Sequence, residues 1–263
     1  MFKFDREKRY MMPPHFGPMP EGTEPACYRD CQSFSLVFES TIDALEQYIP
    51  EDFELSRPEV EIRHFQCQAV DWMGGDGYNM LAVNVPVHFK AENLDGIYNL
   101  VLWENATEPI LIGRETNGVP KIFADITDLS IYQNRIIRAA VSHRGLTFLT
   151  MNGEIGRRLT DEDRNQHSGM QNMFAWRCFP NIGRPGLAIS HPVLFPLEQQ
   201  VFELYEVDSN VQWTALRKIE HPTQYHIITA LSELPFLRTI ASYYMKMQVQ
   251  LHVELCRELP TKR

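Results

Sequence analysis

The sequence lacks any run of 18 apolar residues, so no membrane-spanning helix is expected. It also lacks a basic excess: 25 Lys and Arg stand against 34 Asp and Glu, a formal net charge of -9. Nucleic-acid backbones and anionic membrane surfaces need clustered Lys and Arg, so neither is expected as a partner. Cysteine is scarce, and five is an odd number in a chain too large to need covalent staples. Cys27 and Cys31 are four apart, while Cys67, Cys178 and Cys256 stand singly. Reduced thiols in a cytoplasmic protein are therefore expected. No close Cys or His pair has zinc spacing, and Pro222 lies between His221 and His226, so no metal is expected. The first nine residues are charged with no apolar segment behind them, unlike a secretory leader. No repeat or Gly/Ser linker divides the chain, which reads as one domain over 27–263. Residues 1–26, rich in Pro, Met and Gly, precede it as an extended arm or lid, packed on a neighbouring subunit or capping the core.

Apolar residues make up 44% of the chain, enough for a substantial core. Alternation predicts strands at 33–39, 59–72, 78–90, 97–104 and 129–151, with turns at 74–77 and 93–96. Pro86 inside a strand demands an edge or a bulge. Ser40-Thr41-Ile42-Asp43 starts a short helix that ends before Pro50. Ile110-Leu111-Ile112 reads as a buried strand. Residues 154–171 are charge-dense and read as a solvated connection, and 172–206 as short strands broken by prolines. From Ser232, Leu237, Ile240, Tyr244, Met247, Leu251 and Leu255 fall three and four apart, which predicts a late helix with Pro235 in its first turn. The fold class expected is α+β, mainly antiparallel β, with few helices.

One stretch stands apart: residues 113–122, Gly-Arg-Glu-Thr-Asn-Gly-Val-Pro-Lys-Ile. Lys121 follows a proline and is flanked by Val119, Ile122 and Phe123. A lysine in apolar surroundings is costly as a cation and useful as a neutral amine. The ordinary alternative is a surface lysine after a turn at Asn117-Gly118.

Gly113-Arg114-Glu115, four further residues and Pro120-Lys121 resemble the signature of the acetoacetate decarboxylase superfamily. The resemblance runs in order from about residue 27 to the C-terminus. It takes in the Thr41–Leu45 helix and its Pro50 exit, Gly77-Tyr78 leading to Val85-Pro86-Val87, Glu108-Pro109, and Leu231–Pro235 as the entry to a last helix. It implies a closed antiparallel barrel or cone around a pocket, with helices outside and no sheet edges. It also implies a homo-oligomer and cofactor-free chemistry on a small oxo acid. Lys121 would form a Schiff base, its amine kept neutral by burial, as is established for acetoacetate decarboxylase itself.

Departures from the family pattern then matter. The true decarboxylases carry a second lysine where this chain has Ile122. They carry glutamates where it has Met80, two after Tyr78, and Phe65, two after Arg63. Their pocket arginine falls near Cys31, with Arg29 as a shifted substitute. Asn117 occupies the place of an amide in the divergent aldolase-dehydratase and cyclase members, and can donate and accept hydrogen bonds. Tyr243 or Tyr244 would supply a pocket tyrosine from the last helix. The catalytic candidates are Lys121, Asn117 and Tyr244. The substrate-binding candidates are Glu115, Arg114, Met80, Phe65, Tyr78, Ile122, Tyr243 and Arg29. Against these stand ordinary roles: Arg114 and Glu115 as a buried structural pair, Tyr244 as core, and His64, His88, His143 and His191 as structural. The expected activity is a Schiff-base lyase of aldol, retro-aldol or dehydration type on a 2-oxo or 3-oxo acid. The alternatives are a decarboxylase of a β-keto acid and a non-catalytic barrel that binds a small ligand.

Overall fold

The structure, a computed structural model, describes residues 2–19 and 25–261. The remaining positions of the expected N-terminal arm, 1 and 20–24, lie outside the described residues. Strands dominate: β1 (Ala26–Glu39), β2 (Phe53–Leu55), β3 (Glu59–Val70), β4 (Tyr78–Phe89), β5 (Leu94–Glu104), β6 (Lys121–Phe123), β7 (Asp125–Ile126), β8 (Ser130–Tyr132), β9 (Ile136–His143), β10 (Leu146–Arg158), β11 (Gly169–Gln171), β12 (Met173–Pro180), β13 (Leu187–Leu194), β14 (Leu197–Trp213), β15 (Arg238–Leu251) and β16 (Arg257–Glu258). Among the described residues four α-helices accompany them: α1 (Ile42–Glu46), α2 (Thr107–Asn117), α3 (Asp161–Gln166) and α4 (Tyr225–Ser232).

All the strands join one sheet, whose main path runs β16-β13-β12-β5-β4-β3-β1-β15-β14-β10-β9-β7. Pairing is antiparallel except where β12 and β6 each run parallel to β5. The class is as expected, α+β and mainly antiparallel. The hydrogen-bonded path itself is open: no pairing joins β16 to β7 among the described residues.

The alternation of β3 and β4 separates two environments. Val60, Ile62, Leu81, Val83 and Val85 enter the main core with Trp103 and Phe148, while Arg63, Phe65, Met80 and Ala82 face a cavity. Strand β5 changes parity midway. Val83 pairs with Val101 and Asn84 with Asn99, so Leu100 is an extra residue. This bulge lies close to Pro86, which calls for an edge or a bulge; Pro86 also falls in the gap between the β3 and β2 pairings of β4. Before it, Ile97 and Asn99 face the cavity; after it, Leu102 and Glu104 do. Trp103 turns to the core, where its indole N–H donates to Gln224 Oε1 at 3.0 Å.

Three local expectations are overturned. Ile110-Leu111-Ile112 lies in helix α2, not a strand. Pro109 sits in the first turn of α2, and Gly118, at φ 71°, caps its end, the usual asymmetry of proline first and glycine last. The parallel pairing of β5 with β6 requires a crossover, which α2 supplies. The late helix is absent: β15 occupies its place, and Leu231–Pro235 ends α4 instead of starting a helix. The charge-dense 154–171 segment holds the end of β10, then α3 with a Thr160–Asp163 capping box, then β11.

The histidines find partners that the sequence does not reveal. His88 Nδ1 meets Asp95 at 2.9 Å, His191 meets Glu258 at 3.1 Å, and His143 meets His221 at 3.0 Å. His64 is fully buried, its Nε2–H donating to Thr127 O at 2.8 Å, and burial lowers its pKa to about 4. It is neutral when folded and takes up a proton on unfolding near its ordinary value of 6.5. Its contribution to stability is complete above that value and is lost as pH falls towards 4. Denaturant melts between pH 7 and 4 should show a loss of roughly 3 kcal/mol from this group, at 1.36 kcal/mol per pKa unit. His64→Gln should flatten that slope.

Candidate active site

Lys121 opens β6, placed by the fixed backbone of Pro120 and by Leu102 N–H donating to Pro120 O at 3.1 Å. Its aliphatic stem runs beneath α2. A Cβ on Gly113 would lie 2.5 Å from Lys121 Cε and 2.8 Å from Nζ, so glycine is what leaves room for the lysine. Nζ donates to Pro109 O at 3.0 Å and lies 2.8 Å from Glu104 Oε1. The side chains of this pair are 11% and 0% exposed, so both charges have left water. Apart from the ammonium, no hydrogen-bond donor reaches the Glu104 carboxylate among the described residues. Desolvation pushes the Glu104 carboxyl above the ordinary range, and Lys121 opposes that shift.

The pair lies in the wall of a cavity of about 930 Å³. Tyr78, Met80, Phe65 and Asn117 line the same cavity as Lys121, so five of the expected site residues meet there. Tyr28 and Cys67 join them at the lysine end. Burial raises both the Tyr78 and Tyr28 phenols well above their usual range, and the rings meet edge to face at 6.4 Å. Burial, then the neighbouring Cys31, raises Cys67. These groups are therefore neutral hydrogen-bonding walls at pH 7. Asn117 Oδ1 accepts from Thr116 Oγ1 at 3.0 Å at the end of α2. Arg63 also lines the cavity, held by neutral groups: Ser33 Oγ at 2.7 Å, Gln199 Oε1 and Met247 Sδ. Glu7, Lys8, Arg9 and Met19 of the N-terminal arm complete the lining.

The other expected residues are not among the cavity-lining residues, for identifiable reasons. Tyr244 lies on strand β15, not a helix, and its parity turns it into the core, where its hydroxyl donates to Gln32 Oε1 at 2.6 Å. Tyr243 packs edge-on against His167. Arg114 and Glu115 are not paired with each other. Arg114 Nη1 donates to Lys121 O at 2.7 Å and fixes the backbone of the lysine, while Glu115 O accepts from Arg177. Ile122 alternates away from Lys121 to pack on the main core. Arg29 forms an exposed ion pair with Asp71 at 2.7 Å, a kind of contact that contributes at most about 1 kcal/mol.

Glu104 is the residue that sequence reasoning missed. Its only signal is a lone carboxylate closing the apolar run Leu100–Trp103. Simple alternation from Asn99 would turn Glu104 away from the cavity; the bulge at Leu100 reverses that. Among the described residues, no group of three or more His, Cys, Asp or Glu is arranged to hold a metal. No helix among them is long and apolar enough to cross a membrane.

A family model identifies the family, and the solved structures bear on the fold. The family model described as acetoacetate decarboxylase (ADC) matches residues 11–257. The acetoacetate decarboxylase of Legionella pneumophila subsp. pneumophila str. Philadelphia 1 superposes with a TM-score of 0.76 at 16% identity, covering 92% of each chain. The enduracididine biosynthesis enzyme MppR, in complex with pyruvate, gives 0.72 at 14% identity, covering 96% of this chain and 97% of its own. An acetoacetate decarboxylase-like enzyme from Sphingomonas wittichii RW1 gives 0.71 at 12%, covering 92% and 95%. At such identities the structural likeness speaks for the fold alone. No curated protein sequence matches significantly. With its family model extending over nearly the whole length, the chain belongs to the acetoacetate decarboxylase family.

Proposed function

We propose that the protein is a lyase that binds a 2-oxo or 3-oxo acid as a Schiff base on Lys121 and works through the enamine, in aldol, retro-aldol or dehydration chemistry. The observation that carries this reading is the buried pair of Lys121 and Glu104 in the cavity wall.

With Ile122 in place of a second lysine, no cation stands directly beside the reactive one in sequence. The pair offers another route to a neutral amine. Two buried charges cost several kcal/mol each in lost hydration. Moving a proton from the ammonium to Glu104 replaces them with a neutral amine and a neutral acid. The upward shift of Glu104 favours that transfer. The amine then adds to the keto carbon. Glu104 returns its proton to the resulting hydroxyl, which leaves as water. The cationic imine is left beside a carboxylate, and that carboxylate is placed to take the α-proton, giving the enamine. Nearby charge on Arg63 favours an acidic substrate. The neutral phenols of Tyr78 and Tyr28 and the amide of Asn117 supply hydrogen bonds without a competing charge. Release of carbon dioxide from a β-keto acid would point instead to decarboxylation through the same enamine.

Borohydride added during incubation with pyruvate or acetoacetate should leave a reduced adduct on Lys121 by intact mass and peptide mapping. Lys121→Ala should abolish it; full turnover by a folded Lys121→Ala variant would end the reading. Glu104→Gln should lower kcat/KM by about 10²–10⁴-fold. The wild type should show an acid limb in kcat/KM above the ordinary glutamate value of 4.5, because Glu104 must be ionised to accept the lysine's proton, and Glu104→Gln should lose that limb. Gly113→Ala should fold normally by circular dichroism, since the clashing atoms belong to a flexible side chain. Its displaced amine should lower kcat/KM on the order of 10²-fold.

A further inference from the structure

The cavity is far larger than a three- or four-carbon oxo acid requires, and its remote end is polar in one direction. Glu61, Asn84 and Asn99 line it from neighbouring positions on β3, β4 and β5. Asn84 Nδ2 donates to Glu61 Oε2 at 2.9 Å, and Asn99 Nδ2 donates to Asn84 Oδ1 at 2.8 Å. The polarity of this chain follows from Glu61. An ionised carboxylate only accepts, so Asn84 must turn its amide nitrogen to it. Asn84 then presents its oxygen to Asn99, which must answer with nitrogen. Asn99 Nδ2 also reaches Val101 O at 3.3 Å. The amide donors are thus directed within the wall. Asn99 Oδ1 is left without a partner, although the residue is only 3% exposed. A buried acceptor without a donor is rare in a folded protein. Arg63 does not serve it, being drawn across the sheet towards Ser33 on β1.

The position of the chain gives the reach. Glu104 pairs with Met80 and Asn99 with Asn84, four residues further along β4, or about 13 Å at strand rise. From this, and resting on the reading of Lys121 as the Schiff-base residue, we infer that the Glu61–Asn84–Asn99 row is a specificity subsite for the far end of an elongated oxo acid whose tail ends in an N–H hydrogen-bond donor. Lys121 holds the keto carbon, the apolar stretch of Phe65, Ala82 and Leu102 carries the tail, and Asn99 Oδ1 and Glu61 receive the donor.

A pair of long-tailed 2-oxo acids of equal length tests this, one ending in a primary amide and the other in a methyl ester that lacks the donor. The readout is the concentration that half-saturates borohydride-trapped adduct on the wild-type protein. The amide should saturate at a concentration at least about tenfold lower, because a site built to receive a hydrogen bond rejects the analogue without one. Glu61→Gln frees the row to reverse its polarity and should reduce the ratio below about threefold, as should Asn99→Leu if it folds. Equal saturation by amide and ester, or an unchanged ratio in Glu61→Gln, overturns the subsite. The ketone-free amide and ester, titrated by calorimetry, separate this from the chemistry of Lys121. Amide-selective binding without any trapped adduct would sink the Schiff-base reading and leave the subsite standing. Trapping without amide selectivity would do the reverse.

Discussion

The site depends on two opposite charges held together out of water. Lys121 and Glu104 come from adjacent parallel strands, and neither could remain buried alone: removing one partner of such a pair typically costs about 3–5 kcal/mol. This constraint explains features that otherwise look unrelated. Gly113 lacks a side chain because the lysine stem occupies that space. Pro109 offers a carbonyl to Nζ at the first turn of α2. Arg114 ties down the lysine's own carbonyl. The Gly-Arg-Glu and Pro-Lys portions of the signature are therefore the two walls of one lysine channel, one on a helix and one on the strand that the helix leads into.

On the reading proposed above, this chain would replace cationic activation by internal proton transfer. A neighbouring ammonium would lower a lysine's proton affinity by repulsion. A carboxylate favours the charged lysine while both partners are ionised, but it also provides a place for the proton to go. Burial decides between these tendencies, because it penalises the ion pair as a whole and raises Glu104. The same acid is then positioned for the later proton movements. On that reading one residue would do work that otherwise requires both a cationic neighbour and a separate base.

Much of this was legible in the sequence, and the failures have physical causes. Phe65, Met80 and Tyr78 were singled out through the family pattern, and the strict parity of β3 and β4 between two different environments is what brings them to one cavity. The segment from Leu237 was misread because a spacing of four fits both periods, as between Ile240 and Tyr244 or Met247 and Leu251. The decisive pattern was Met245, Met247, Val249 and Leu251, a period of two on the side facing the cavity end of the molecule. Asn117-Gly118, a turn in the alternative reading, instead marks with Pro109 the two ends of a helix. Glu104 was invisible for a different reason. Its orientation depends on one extra residue in β5, and a bulge leaves no compositional mark unless glycine or proline accompanies it. The nearby Pro86 was such a mark, but on the partner strand.

That bulge would also separate the two tasks proposed for the cavity. On its C-terminal side, Leu102 and Glu104 face inward beside the lysine; on its N-terminal side, Ile97 and Asn99 do. A register slip of one residue on either side would exchange every inward residue for an outward one. The bulge therefore allows the reactive end to be set by β6 and α2, while the remote end is set by cross-strand partners in β3 and β4. Because a sheet holds its rows by backbone hydrogen bonds, side chains in the remote rows can change without displacing the amine. Substrate range can then be altered in the floor of the cavity while the proton chemistry at its edge stays fixed. On the proposed reading, selectivity and reactivity would be separated by the spacing of the strand itself.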